Sequence, residues 1–218
     1  MFRVISEGPI NISGKTLLIP SISVGSSGTL ALDLILNSLP HNKICWIYSN
    51  EFLPIVGHQA LDNDPSLVMP IELFDFSSFA VLQIRSLCSD NKLFIEKLIK
   101  WCLENSVSRI VLVSSNCDEI KINAEEPEIF TIDNGIGEYD FGMEKKDFLQ
   151  YKEFFMGAGI CKNVLKQKEI PATAVMVYAK DVPADVQSAY VLAEGVLKVF
   201  GITVDLKAPR SWQGIVIN

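Results

Sequence analysis

The sequence predicts an α/β domain with one largely parallel central sheet flanked by helices. Three observations carry this. Short apolar runs of strand length alternate with segments whose apolar residues recur at helical spacing. Of the 218 residues 49% are apolar and 21% charged, enough material for one sizeable core. No linker rich in Gly, Ser and Pro and no internal repeat divides the chain, so 1–218 is expected to be a single domain.

The elements follow in order. Thr16-Leu17-Leu18-Ile19-Pro20 reads as the first strand, with Ser23 to Gly28 as a tight loop after it. A helix should then begin, capped by Ser26 or Ser27, with Leu30, Ala31, Leu34 and Ile35 buried and Asp33 and Asn37 on the wet side, and Pro40 stops it. Lys43 to Tyr48 is the second strand and Phe79 to Ile84 the third. Between them, Asn50 to Ser78 contains Pro54, Gly57, Pro65 and Pro70, the pattern of a long excursion with at most short strands. Ser89-Asp90-Asn91 can cap a helix from Lys92 to Glu104, whose polar stripe is Lys92, Glu96, Lys100 and Glu104. Its core side is expected to be Leu93, Phe94, Leu98, Trp101 and Cys102. Arg109 to Val113 is the fourth strand, a helix runs from about Gly159 to Glu169, and Ala172 to Tyr178 is the fifth strand. The segment Asp185 to Phe200 closes the set, keeping Val186, Tyr190, Ala193, Leu197 and Phe200 on one face.

The net charge of −7 is unevenly placed. From Cys117 to Asp147 there are ten acids against three lysines; taking these from the chain's 26 acids and 19 bases leaves sixteen of each elsewhere. The acidic stretch, about 116–155, reads as an insertion in the α/β alternation, a solvated loop or hairpin too short for its own core. No basic patch is dense enough to track phosphates, which argues against nucleic-acid binding. The longest apolar stretches, Thr16 to Val24 and Thr29 to Leu36, are broken by Pro20 and Asp33 and fall short of the roughly 18 to 20 residues that a membrane-spanning helix requires. The first residues carry no apolar run of signal-peptide length. Cys45, Cys88, Cys102, Cys117 and Cys161 are odd in number and widely spaced, as expected of buried thiols in a reducing compartment, cytoplasm or nucleus.

Catalytic equipment is scarce. The loop Gly25-Ser26-Ser27-Gly28 joins a strand to a helix, where backbone N–H groups could hold an anion. It lacks both the G-x-G-x-x-G spacing and the P-loop ending, and no Lys or Arg lies between Lys15 and Lys43. A nucleoside phosphorylase or hydrolase using this loop is therefore the alternative to a non-enzymatic role. Ser114 and Ser115 end the fourth strand without a base nearby in sequence, and the two histidines, His41 in a turn and His58 in the excursion, are not placed to serve them. No metal-ligand pair occurs at zinc spacing. A mean hydropathy of +0.27 combined with so little chemistry suggests apolar surface kept for a permanent protein partner.

Several motifs, taken in order, match one known family. The run Leu17-Leu18-Ile19-Pro20-Ser21-Ile22-Ser23-Val24-Gly25-Ser26-Ser27-Gly28-Thr29-Leu30-Ala31-Leu32-Asp33-Leu34-Ile35 resembles the opening of the proteasome assembly chaperone 2 family. Ile55-Val56-Gly57 resembles its continuation, and Val81-Leu82-Gln83-Ile84-Arg85-Ser86 its central strand. Gly157-Ala158-Gly159-Ile160-Cys161-Lys162 is similar to its glycine-rich helix start, and Ala208-Pro209-Arg210-Ser211-Trp212 to its close. The resemblance implies a fold related to nucleoside phosphorylases without their catalysis, in which Gly25, Gly28, Gly57, Gly157 and Gly159 are structural. It implies no cofactor and no metal. It implies a heterodimer with a proteasome assembly chaperone 1-like protein that binds the α-subunit ring of the 20S proteasome, promotes its assembly and prevents off-pathway ring dimers. In some members of this chaperone pair the chain ends in a hydrophobic residue, a tyrosine and one more residue, which enter pockets between α subunits. Here Val216-Ile217-Asn218 stands there, with Ile217 in place of tyrosine. Trp212, Ile215, Val216, Ile217 and Asn218 are accordingly the expected partner-binding residues.

Overall fold

A computed structural model of the chain describes residues 1–62, 64–121, 128–137, 139–148 and 159–214. Eleven strands and four longer helices alternate along them. In chain order they are β1 (Phe2–Ile5), β2 (Thr16–Pro20), α1 (Ser27–Ser38), β3 (Asn42–Ser49), β4 (Gly57–His58), β5 (Leu67–Val68), β6 (Ile71–Asp75), β7 (Phe79–Ile84), α2 (Asn91–Glu104), β8 (Arg109–Cys117), β9 (Ile129–Asp133), β10 (Glu144–Lys145), α3 (Gly159–Lys166), β11 (Ala172–Ala179) and α4 (Val186–Val199).

Nine strands form one sheet in the order β1-β3-β6-β7-β2-β8-β11-β9-β10, and β4 with β5 makes a separate small hairpin. The sheet is mixed, which corrects the expectation of a largely parallel one. Its centre, β7-β2-β8-β11, is a parallel block, and the short β10 also runs parallel to β9 at the far edge. On one side β6, β3 and β1 each run antiparallel to their neighbour, and on the other β9 is antiparallel to β11. The parallel block is buried on both faces, so its strands are continuous apolar runs. Along β8, Ile110 and Leu112 enter the layer beneath α2 and α3, while Val111 and Val113 enter the layer beneath α1 and α4. Helices α1 and α4 pack together on one face, α2 and α3 on the other.

Four strands differ from expectation for identifiable reasons. β6 was hidden in the excursion because Glu72 and Asp75 interrupt its apolar pattern; Glu72 is nevertheless 1% exposed, held by Arg85 and Lys43. β1 is too short to show a period. The acidic stretch contributes β9 and β10 to the main sheet, with Phe130 and Ile132 fully buried, and so is not wholly a solvated loop in its described residues. In α1, Asp33 is buried rather than wet: it accepts from Gln83 Nε2 at 2.7 Å and pairs with Arg85. In α2, Asp90 caps through the Leu93 N–H at 3.0 Å as expected, but Leu93 itself faces outward.

Candidate interaction surface

The loop after β2 is filled by protein. Gly25 and Ser26 both take left-handed backbone conformations, at φ +64 and +53, and a Cβ on Gly25 would lie 2.7 Å from Asp185 Cβ. Asp185 caps α4, accepting from Lys180 N–H at 2.9 Å, Ser188 N–H at 3.1 Å and Ser188 Oγ at 2.7 Å. Burial acts to raise its pKa, and these hydrogen bonds more than offset it, holding the carboxyl below its ordinary value. Neither serine caps α1 as expected. Ser26 Oγ donates to the Pro183 carbonyl and Ser27 Oγ to the Val24 carbonyl. A capping acid therefore adjoins the place where an anion would bind, and the geometry is that of a packed turn.

Of the other expected glycines, two are packing positions. A Cβ on Gly28 would lie 2.2 Å from the Val113 carbonyl oxygen, so this glycine lets α1 approach β8. One on Gly159 would meet Asn91 Nδ2 at 2.5 Å, where α3 crosses the start of α2. Gly57 sits in the β4–β5 hairpin with room for a side chain, 3.6 Å from Val68 Cβ. Gly157 lies outside the described residues.

The remaining chemistry is structural. Ser115 Oγ donates to the Val24 carbonyl and contacts Ser23 Oγ at 2.8 Å, tying the loop to β8, while Ser114 Oγ is buried without a hydrogen-bond partner. His41 is not the exposed turn residue expected; its ring is half-buried, edge-on to Phe74 at 5.2 Å. All five cysteines are free. Burial pushes the thiols of Cys45 and Cys102 up to about 12 and that of Cys161 higher, so they stay protonated and unreactive. Among the described residues no group of three His, Cys, Asp or Glu could hold a metal, and no helix is long and apolar enough to cross a membrane.

Trp212 is 5% exposed and belongs to the core layer beneath α1 and α4. Its indole is thus an internal anchor and not an exposed partner contact, because Ser211 Oγ donates to the Ala60 carbonyl and Arg210 N–H to Asp62 Oδ1, pinning the segment against the excursion. Ile215, Val216, Ile217 and Asn218 lie outside the described residues.

What the sequence did not reveal is an apolar surface at the antiparallel end of the sheet. Of thirteen large apolar residues with exposed side chains among the described residues, nine fall on β1, β3, the excursion, the turn into α2 and that helix's first turn, and Ile5, Trp46, Tyr48 and Val56 among them meet around one cavity. Ile5 and Trp46 are register partners on β1 and β3, and Tyr48 lies two residues along on the same face. A cavity of about 170 Å³ opens among them, closed by Pro54, Val56, Met69 and Pro70. Leu53 and Leu87 extend the patch, joined by the Leu53 N–H to Leu87 carbonyl hydrogen bond at 3.3 Å. Beyond Trp46 lies an open groove of about 640 Å³ whose lining includes Glu7, Pro9, Lys43 and Ser66.

A polar network supports this patch from the interior. Lys43 Nζ binds Asp64 Oδ2 at 2.7 Å, Glu72 Oε1 at 3.1 Å and Ser66 Oγ, so it fixes the excursion to the sheet. Arg85 Nη1 reaches the other Glu72 oxygen at 2.8 Å. Burial raises the pKa of Glu72 against the pull of Arg85 and Lys43. For Asp64 burial is outweighed by its hydrogen bonds to Lys43 and Ser66, and its pKa is lowered. β3 is apolar without a break from Ile44 to Tyr48, so its sequence gave no sign that Trp46 and Tyr48 face outward; only its burial alternates.

Comparison with known proteins points to one family. The family model described as "PAC2 family" matches residues 17–209. Proteasome assembly chaperone 2 of Homo sapiens is 33% identical over 124 residues, covering 53% of this chain and 47% of that protein. The Xenopus tropicalis protein of the same name is 36% identical over 111 residues, 47% of this chain and 42% of that one. The matched region thus spans about half the length of these curated relatives. Among solved structures, Pyrococcus furiosus PbaA, described as an archaeal homolog of proteasome-assembly chaperone, superposes with a TM-score of 0.73 at 12% identity, covering 99% of this chain and 92% of that one. Pyrococcus furiosus PbaB, described as an archaeal proteasome activator, does so with a TM-score of 0.63 at 11% identity, covering 94% and 91%. At those identities the structures speak to the fold.

Proposed function

The chain belongs to the PAC2 family, and on that premise we propose that it is a non-enzymatic chaperone of 20S proteasome assembly. In this reading it forms a heterodimer with a proteasome assembly chaperone 1-like protein, binds the α-subunit ring, promotes its assembly and prevents off-pathway ring dimers. The observation that carries it is the one-sided apolar patch around Trp46 and Tyr48, combined with a strand-end loop closed by Asp185 where an enzyme of this layout would bind substrate. A phosphorylase-like ancestry, with the ligand loop filled, is part of the same proposal. Five free cysteines, four of them buried, support the cytoplasm and nucleus as its compartments. No nucleic acid, membrane or metal enters this mechanism, which works by shape: holding neighbouring α subunits in register and covering their outer face until assembly is complete.

Affinity purification from the native cells at moderate salt, with mass spectrometry, tests the reading. One other small α/β chain and 20S α subunits should be recovered in stoichiometric amounts; recovery of the chain alone would sink it. The segment Ile215 to Asn218 plays a minor part in ring binding, beginning as it does from a Trp212 anchored in the core. Deleting those four residues should weaken recovery of α subunits only modestly, and complete loss would show the tail to be essential.

A further inference from the structure

The excursion leaves apolar side chains in water beside an unfilled apolar cavity. Val56 stands at the rim of the cavity of about 170 Å³ among Trp46, Tyr48 and Phe52, yet it is 53% exposed; its neighbour Ile55 is exposed too and lines no part of the cavity. An apolar space of about 150 Å³ holds a benzene ring, so one aliphatic side chain fits here. The segment that carries these two residues is tethered at both ends and loose between them. At one end the Leu53 N–H donates to the Leu87 carbonyl at 3.3 Å, and the Leu53 carbonyl accepts from Ser86 Oγ at 2.8 Å. At the other the Ala60 carbonyl accepts from Ser211 Oγ at 2.8 Å, and Leu61 is buried. Among the described residues no hydrogen bond ties 54–59 to the main sheet; Gly57 and His58 pair with Val68 and Leu67 in a separate two-residue ladder. Gln59 takes a left-handed backbone conformation, φ +47, which is strained for a residue with a side chain.

We infer that 54–59 is a flap: pivoting at Pro54 and Gln59, it carries Ile55 into the cavity and lays Val56 over Trp46 and Tyr48, so that the chain covers its own apolar face when no partner is present. The structure holds the open form. Closure is favoured because the flap's apolar residues and the face they meet are both in water when it is open, and one movement removes both. The strain lies where a hinge needs it, at Gln59, between a loose tip and a fixed end. Lys43 holds the far side of the hairpin through Asp64 and Ser66, which confines the motion to the flap. Its use as a gate rests on the reading of this face as an interaction surface; the motion itself does not.

The full chain carrying both Tyr48→Cys and Ile55→Cys tests this. Both positions are exposed, so folding tolerates the pair. A disulfide requires Cα atoms within about 7 Å, an approach that closure supplies. Oxidised glutathione should therefore trap the closed form, and neither single variant should cross-link. Trp46 reports the result, because Trp101 and Trp212 are buried. Iodide quenching of its fluorescence should be lost on trapping and return on reduction, and recovery of partner proteins should fall and return with it. Absence of the disulfide, a disulfide that leaves Trp46 as open to iodide as before, or a trapped chain that recovers its partners undiminished would each overturn the flap and leave the chaperone reading standing. A wild-type chain that recovers no partner would defeat the chaperone reading, and cross-linking with iodide protection would then decide the flap alone. Should Tyr48→Cys unfold the chain, the Ile55 and Val56 methyl signals of the wild type decide: exchange on the μs–ms scale supports the flap, and its absence overturns it.

Discussion

At the scale of single residues, Gly28 shows how little room the fold leaves. Its missing side chain is what allows α1 to lie across the middle of β8, where a methyl group would overlap the Val113 carbonyl oxygen. Backbone cannot swing aside as a side chain can, so Gly28→Ala forces the helix outward. The expected cost is about 2 to 3 kcal/mol of stability, read as a lower midpoint in chemical denaturation with unchanged slope. An unchanged midpoint would mean that α1 shifts freely on the sheet. Asp33 makes a related point: it is a polar residue on a helix face that its spacing alone assigns to water, yet Arg85 and Gln83, both on or beside β7, satisfy it in the interior.

At the scale of elements, the excursion between β3 and β6 depends on one ion-pair centre. Lys43 gathers Asp64, Ser66 and Glu72, binding the β4–β5 hairpin to the main sheet beneath the patch. Its amine is largely buried, so removing it leaves carboxylates with too few partners. Lys43→Met should cost about 2 kcal/mol and speed hydrogen exchange at Leu67 and Val68, with α4 unaffected. Equal acceleration across α4 would mean that the excursion is not a separately anchored unit. The same reasoning explains why β6 escaped detection: its pattern contains an acid that is buried only because two cations from other strands reach it.

At the scale of the whole molecule, acid should loosen the fold. The carboxyls of Glu51, Asp64 and Asp185 all lie below their ordinary values. Burial works against this in each case, and hydrogen bonds and charges, including Lys97 at Glu51 and Lys43 at Asp64, prevail. A carboxyl held low in the folded state adds stability above its unfolded pKa of about 4, and that contribution disappears as pH falls through the folded value. Glu72 is raised by burial, and its effect has the opposite sign. Three against one predicts a urea midpoint that drops between about pH 5 and pH 3. A flat profile over that range would show that these groups do not differ between folded and unfolded chain.

By itself the sequence determined the α/β class, the strands of the parallel block and the helices between them. Those elements announce themselves locally: β2, β7, β8 and β11 are apolar throughout because both faces are covered, and α2 and α4 carry their own caps and stripes. Family membership was also readable there, through glycines such as Gly25 and Gly28 whose spacing the packing demands. Only the tertiary structure decided that the sheet is mixed, that Trp212 is an anchor inside the core, and that Ile5, Trp46 and Tyr48 meet on one exposed face. The reason is physical. A short edge strand and an interrupted one have no period to read, and a patch assembled from segments separated by dozens of residues exists only once register has placed them side by side.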